Sequence, residues 1–235
     1  MKIAIITAAG VGSRMKLSVP KQFYQINNKP IIVYTLEAFN NCKYIDAICV
    51  IYLKGFRDVF EGFKKTYKLN KIRWFFEGGE TNQMSIWNGI KGLKETNDIN
   101  DDDIILVHDG IRPLVDDAII KDCIDVCVKN GNAVAVIPSN EAMFISKNGK
   151  ISTESIDRSK VWRTQTPHAM RFKEMFNLVN NTLKKGICNS VAICTMLIEN
   201  GQEVFFSKGN NLNFKLTTPE DIELFIGILK AQGRM

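Results

Sequence analysis

No uninterrupted apolar run in this chain approaches the roughly 20 residues of a membrane span, and no membrane partner is expected. Only two histidines occur in 235 residues, and the six cysteines form no Cys-x-x-Cys pair, so the usual ligand spacing of a zinc site is missing. Cys123 and Cys127 lie four apart within an apparent helix and read as core-facing; reduced thiols in a cytoplasm are the expectation. Low-complexity segments, internal repeats and domain linkers are absent. Met1-Lys2 leads straight into an apolar strand, which predicts no signal peptide. Basic residues exceed acidic ones by six, yet they are spread along the chain rather than clustered beside stacking aromatics. That balance suits anionic small molecules and predicts no nucleic-acid partner.

What remains is an ordinary globular composition, 45% hydrophobic and 24% charged, enough for one α/β domain over residues 1–235. The stretch from Lys2 to Gln22 organises it. Ile3-Ala4-Ile5-Ile6 is short and β-branched enough for a buried parallel strand. Ala8, Ala9, Gly10 and Gly12 follow; their small size lets backbone N–H groups approach a ligand, and glycine tolerates the positive φ of a phosphate-cradling turn. Arg14 and Lys21, in Pro20-Lys21-Gln22, add two cations, so a nucleoside triphosphate is the simplest guest. A P-loop is excluded, because no Gly-x-x-x-x-Gly-Lys-Ser/Thr follows Gly10 or Gly12. A dinucleotide fingerprint fails too: Met15 stands at its third glycine, and the ribose-binding acid expected about 20 residues on is missing.

Further along, Pro30 suits a helix start, with an apolar face from Ile31 to about Asn40. Strands are expected over 45–52, 72–76, 103–107 and 133–137, with helices over 57–67, 85–93 and 116–129. This alternation predicts a Rossmann-like, mostly parallel sheet with helices on both faces. Ligands of such sheets sit at the strand carboxyl ends. The glycine loop, Gly78-Gly79-Glu80 and His108-Asp109 all fall there. From Ser139 to Trp162 the rhythm breaks, and 144–151 reads as a hairpin turning at Asn148-Gly149. Helices over 171–184 and 190–199, a strand over 203–207 and a final helix capped at Thr218-Pro219 complete the expectation.

Ala8-Ala9-Gly-x-Gly-x-Arg14-Met15 followed by Pro20-Lys21-Gln22 resembles the signature of GT-A-like nucleotidyltransferases. Within these it is most similar to the cytidylyltransferases acting on 2-C-methyl-D-erythritol 4-phosphate or ribitol 5-phosphate. The resemblance covers essentially the whole chain. It implies that Arg14, Lys21 and Lys215 are catalytic, Arg14 and Lys21 stabilising charge on the α-phosphate of CTP and Lys215 lying beside the triphosphate. It implies nucleotide contacts at Ala8, Ala9, Gly10, Gly12, Gly79, Glu80, Ser85, Asp109 and Lys215. His108-Asp109-x-x-Arg112-Pro113 matches the next motif, implying Mg²⁺ at Asp109 and acceptor contacts from Asp109 and Arg112. Asp157-Arg158-Ser159-x-x-Trp162-Arg163-x-Gln165-Thr166-Pro167 resembles the erythritol-phosphate enzymes in particular, with Arg158 on the acceptor phosphate across a dimer. The arm at about 139–160 would clasp the second subunit of that homodimer.

The implied reaction transfers CMP from CTP to a phosphorylated small polyol and releases pyrophosphate. The isoprenoid precursor 2-C-methyl-D-erythritol 4-phosphate is one candidate acceptor; ribitol 5-phosphate, or another precursor of a cell-surface polymer, is the alternative. Departures from the family pattern gather on the acceptor side. Glu141-Ala142 stands where Asp-Thr is usual, Val191-Ala192 where Thr-Asp or Ser-Asp is usual, and Asn82 replaces an arginine. Asn189 or Ser190 offers a nearby polar substitute. Two rival classes stay open: a nicotinamide oxidoreductase, which predicts cofactor absorbance, and a non-catalytic nucleotide-binding module, which predicts CTP binding without turnover.

Overall fold

A computed structural model of the chain describes residues 1–10 and 19–235. The central sheet has seven strands among the described residues: β1 (Lys2–Ala8), β4 (Ala47–Tyr52), β5 (Ile72–Glu77), β6 (Ile104–Asp109), β7 (Asn132–Pro138), β10 (Trp162–Arg171) and β11 (Phe206–Lys208). Two short ribbons stand apart from it, β2 (Gln25–Ile26) with β3 (Lys29–Pro30), and β8 (Met143–Ile145) with β9 (Glu154–Ile156). The order across the sheet is β11-β7-β10-β6-β1-β4-β5. β10 alone runs antiparallel, between β6 and β7.

Helices cover both faces: α1 (Ile31–Asn41), α2 (Arg57–Thr66), α3 (Asn82–Glu95), α4 (Asp117–Asn130), α5 (Phe172–Lys184), α6 (Ile193–Glu199) and α7 (Pro219–Ala231). The alternation within β1 explains why. Ala4 and Ile6 enter one core with Leu36, Phe39, Phe60, Ile120 and Cys123, while Ile3 and Ile5 enter the other with Ile86, Ile90, Met175 and Leu197. A strand buried on both faces must be apolar throughout. A third cluster, including Ile31, Ile111, Leu216 and Phe225, packs α7 beside the end of β6. No helix among the described residues is long and apolar enough to cross a membrane.

Four expectations change. The strand at Trp162–Arg171 is new; its sequence is mostly polar and carries Pro167, yet Gln165 to Met170 are buried between β6 and β7. The hairpin is wider than 144–151, because Asn148 Oδ1 accepts from the N–H groups of Lys150 and Ile151 (3.0 and 3.2 Å). Such side-chain bonds compete with a strand ladder, so pairing starts only at Ile145 and Glu154. Helix α6 begins at Ile193 rather than 190, since the Ser190 N–H is taken by Gln83 Oε1 at 2.8 Å. The last strand starts at Phe206 rather than 203: Asn132 bonds the Glu203 carbonyl and the Phe205 N–H in its place.

Candidate active site

Strands β1, β5 and β6 end around one cavity of about 540 Å³. Its wall includes Ala8, Ala9, Gly10, Lys21, Gly79, Glu80, Ser85, Asp109 and Lys215. Of the expected site residues, Gly12 and Arg14 lie outside the described residues. Arg112 stands behind the wall, bonded to Asp109. Arg158 is exposed beside the β8–β9 ribbon, where it donates to the Asn140 carbonyl at 3.2 Å.

Local chemistry holds each wall in place. The Gln22 side chain is buried and donates to the carbonyls of Ala8 and Gly10 (3.0 and 2.9 Å), clipping the start of the glycine loop to the turn that carries Lys21. A Cβ on Gly78 would overlap the Ala9 side chain, so only glycine lets the β1 and β5 loops meet. Ser85 Oγ accepts from the Gly79 N–H at 3.1 Å and so closes the turn before α3. Thr81 caps that helix: its hydroxyl accepts from Met84 N–H at 3.1 Å.

The same turn holds the segment 187–191. Thr81 Oγ1 donates to the Cys188 carbonyl (2.8 Å), Asn82 Nδ2 to the Val191 carbonyl (3.1 Å) and Gln83 Nε2 to the Ile187 carbonyl (2.7 Å). Two departures from the family pattern, Asn82 and Val191, are therefore bonded to one another. Val191 lines the cavity with 80% of its surface exposed. Ser190 is no substitute for the missing hydroxyl. It is buried, and its Oγ donates to Glu199 Oε2 at 2.6 Å.

Charge is concentrated at Asp109. Arg112 Nε reaches Oδ2 at 3.0 Å and Lys215 Nζ reaches Oδ1 at 3.2 Å. Burial alone would raise this carboxyl, but Lys215 and Arg112 outweigh it and hold the group well below the usual carboxylate range. Asp109 is therefore ionised at neutral pH. Among the described residues no group of three or more His, Cys, Asp or Glu side chains is arranged to hold a metal. A resident metal cage does not fit; Mg²⁺ bound by one carboxylate together with substrate phosphates does.

Sequence reasoning assigned no role to Gln22 or Thr81. The spacing Pro20-Lys21-Gln22 was visible, but nothing in it says that the glutamine faces back toward the loop. Thr81 carried a signal, a hydroxyl residue directly before the helix.

The model of the 2-C-methyl-D-erythritol 4-phosphate cytidylyltransferase (IspD) family matches residues 2–231. A ribitol-5-phosphate cytidylyltransferase of Lacticaseibacillus paracasei is 37% identical over 234 residues, covering 99% of each chain. A 2-C-methyl-D-erythritol 4-phosphate cytidylyltransferase of Clostridium acetobutylicum is 35% identical over 235 residues, again covering 99% of each. The crystal structure of 4-diphosphocytidyl-2C-methyl-D-erythritol synthase from Anaerococcus prevotii shares the fold with a TM-score of 0.81, at 23% identity and covering 98% of both chains. With that match across nearly its full length, the chain belongs to the 2-C-methyl-D-erythritol 4-phosphate cytidylyltransferase family of nucleotidyltransferases.

Proposed function

We propose that this protein transfers CMP from CTP to a phosphorylated small polyol and releases pyrophosphate. The observation that carries this reading is the single cavity in which Lys21, Asp109 and Lys215 meet the small-residue loop 8–10 and the turn 79–85. An oxygen of the acceptor phosphate attacks the α-phosphorus of CTP in line; the new P–O bond forms as the bond to the β-phosphate bridging oxygen breaks. The attacking oxygen is already ionised, so no general base is required. What the protein supplies is alignment and positive charge where negative charge accumulates.

In this scheme Ala8, Ala9, Gly10, Gly79, Glu80 and Ser85 seat the nucleotide, with Gly12 added by resemblance, and Lys21 neutralises the α-phosphate, with Arg14 assigned to the same task by resemblance. Lys215 exchanges its bond to Asp109 for one to the phosphates. Asp109 would hold Mg²⁺, whose chemistry is to screen the triphosphate. Arg112 keeps the carboxylate oriented toward the acceptor. The β8–β9 ribbon, with Phe144, Ile145 and Ile151 exposed, is the proposed clasp of a homodimer that brings Arg158 to a partner's acceptor phosphate. Six unpaired cysteines suit a reducing cytoplasm.

The two named relatives divide between acceptors. The 157–167 motif favours 2-C-methyl-D-erythritol 4-phosphate. The 37% identical ribitol-5-phosphate cytidylyltransferase supports the second reading, ribitol 5-phosphate or a related alditol phosphate, and the departures at Ala142 and Val191 bear on acceptor choice because a lost hydrogen-bonding partner alters selectivity more than a lost methylene. Pyrophosphate release from CTP, measured across a panel of phosphorylated alditols, separates them. No release with any acceptor defeats the enzyme reading. Lys21→Ala is expected to lower kcat about 100-fold while CTP affinity changes only a few-fold. Near-normal turnover in that variant removes Lys21 from the reacting centre.

A further inference from the structure

His108 is fully buried at the end of β6, directly before Asp109. Its Nε2 lies 3.2 Å from the Arg112 carbonyl oxygen and its Nδ1 3.1 Å from Thr166 Oγ1. A carbonyl only accepts, so the ring proton sits on Nε2 and Nδ1 is bare. The Thr166 hydroxyl must then donate to Nδ1. Its oxygen in turn accepts from the Asp109 backbone N–H, at 3.1 Å. The Arg112 N–H closes the loop on the Asp109 carbonyl at 3.1 Å.

A second set of bonds rests on this ring. Arg112 Nη1 donates to the Asn213 carbonyl at 2.8 Å, and Asn213 Nδ2 donates to the Thr166 carbonyl at 2.8 Å. Three chain segments that meet nowhere in sequence, 108–112, 165–166 and 213–215, are thereby locked together beneath the charged cluster. None of the atoms of His108 or Thr166 lines the cavity.

We propose that His108 and Thr166 act as one positioning couple, which fixes the backbone of Asp109 and of Arg112 for the transfer. The consequence for turnover rests on the cytidylyltransferase reading; the couple itself does not. Groups that orient a ligating or charge-bearing side chain typically contribute about 10- to 100-fold.

The test combines His108→Leu, His108→Asn, Thr166→Val and the Leu/Val double variant. His108→Leu and Thr166→Val are each expected to lower kcat about 10- to 100-fold with a folded circular-dichroism spectrum. The double variant should be no slower than the worse single one, because both break the same ring. His108→Asn places its amide oxygen where Nδ1 was and should recover activity over His108→Leu, a recovery that Thr166→Val abolishes. Independently of turnover, ¹⁵N NMR of the imidazole should report the Nε2–H tautomer, with the Nδ1 resonance moving in Thr166→Val. A wild-type kcat in folded Thr166→Val, losses that multiply in the double variant, or an Nδ1–H tautomer would overturn the proposal. An inactive wild type with the expected tautomer instead overturns the assigned reaction and leaves the couple standing.

Discussion

Asp109→Asn is expected to lower kcat about 1000-fold. The amide keeps the shape of the carboxylate but not its charge, and this is the carboxylate that Lys215 and Arg112 hold ionised inside the cavity wall. Without it, the proposed Mg²⁺ loses its protein ligand and two cations face each other with no counter-ion. Lys215 is 37% exposed and can turn to solvent; Arg112, at 12%, cannot. A loss of about 2 kcal/mol in stability should accompany the kinetic defect, below the full cost of stranding a buried charge. Steady-state pyrophosphate release and a thermal melt measure the two effects separately. A kcat within tenfold of wild type would place Asp109 outside the chemistry.

Stability should fall steeply between pH 7 and pH 5, and the two histidines are the reason. Burial pushes His108 down to about 3 and His168 down to about 4, from 6.5 in an unfolded chain. Between those values the unfolded state binds protons that the folded state refuses, so stability rises with pH through this window and is complete above about 6.5. Each histidine then costs the fold about 2 kcal/mol at pH 5 relative to pH 7. Carboxylates with depressed values, Asp109 among them, act in the same sense, but their stabilisation is lost only as pH falls below their unfolded value of 3.8. The window is thus left to histidine. Together the two should lower the melting temperature by about 10 °C. His168→Gln should remove about half of that shift, and a melting temperature flat from pH 5 to 7 would mean that both rings charge freely in the folded protein.

Much of this was visible in the residues. The β-branched run 3–6, the glycines at 10, 78 and 79 and the acid at 109 each sit where a strand must end, because a buried parallel strand can only be apolar and its loop only small or polar. Strand β10 stayed hidden for the converse reason. Its threonines, glutamine and proline lack any apolar period, and their burial is made possible by partners distant in sequence, such as Asn210 and Asn213 on Gln165 and His108 on Thr166. Latches behave alike: that Gln22 turns back on the glycine loop, or that Asn82 grips residue 191, is decided by tertiary neighbours and leaves no local pattern.

Strands β7 and β10 pair at Trp162 and Pro138, so the chain leaves the sheet for the β8–β9 ribbon and returns beside its point of departure. Such an excursion can be lengthened, trimmed or swapped between homologues with little disturbance to the strands that carry it. Natural variation, or an engineer, can therefore rewrite what the ribbon grips while the carboxyl ends of β1, β5 and β6 are inherited unchanged.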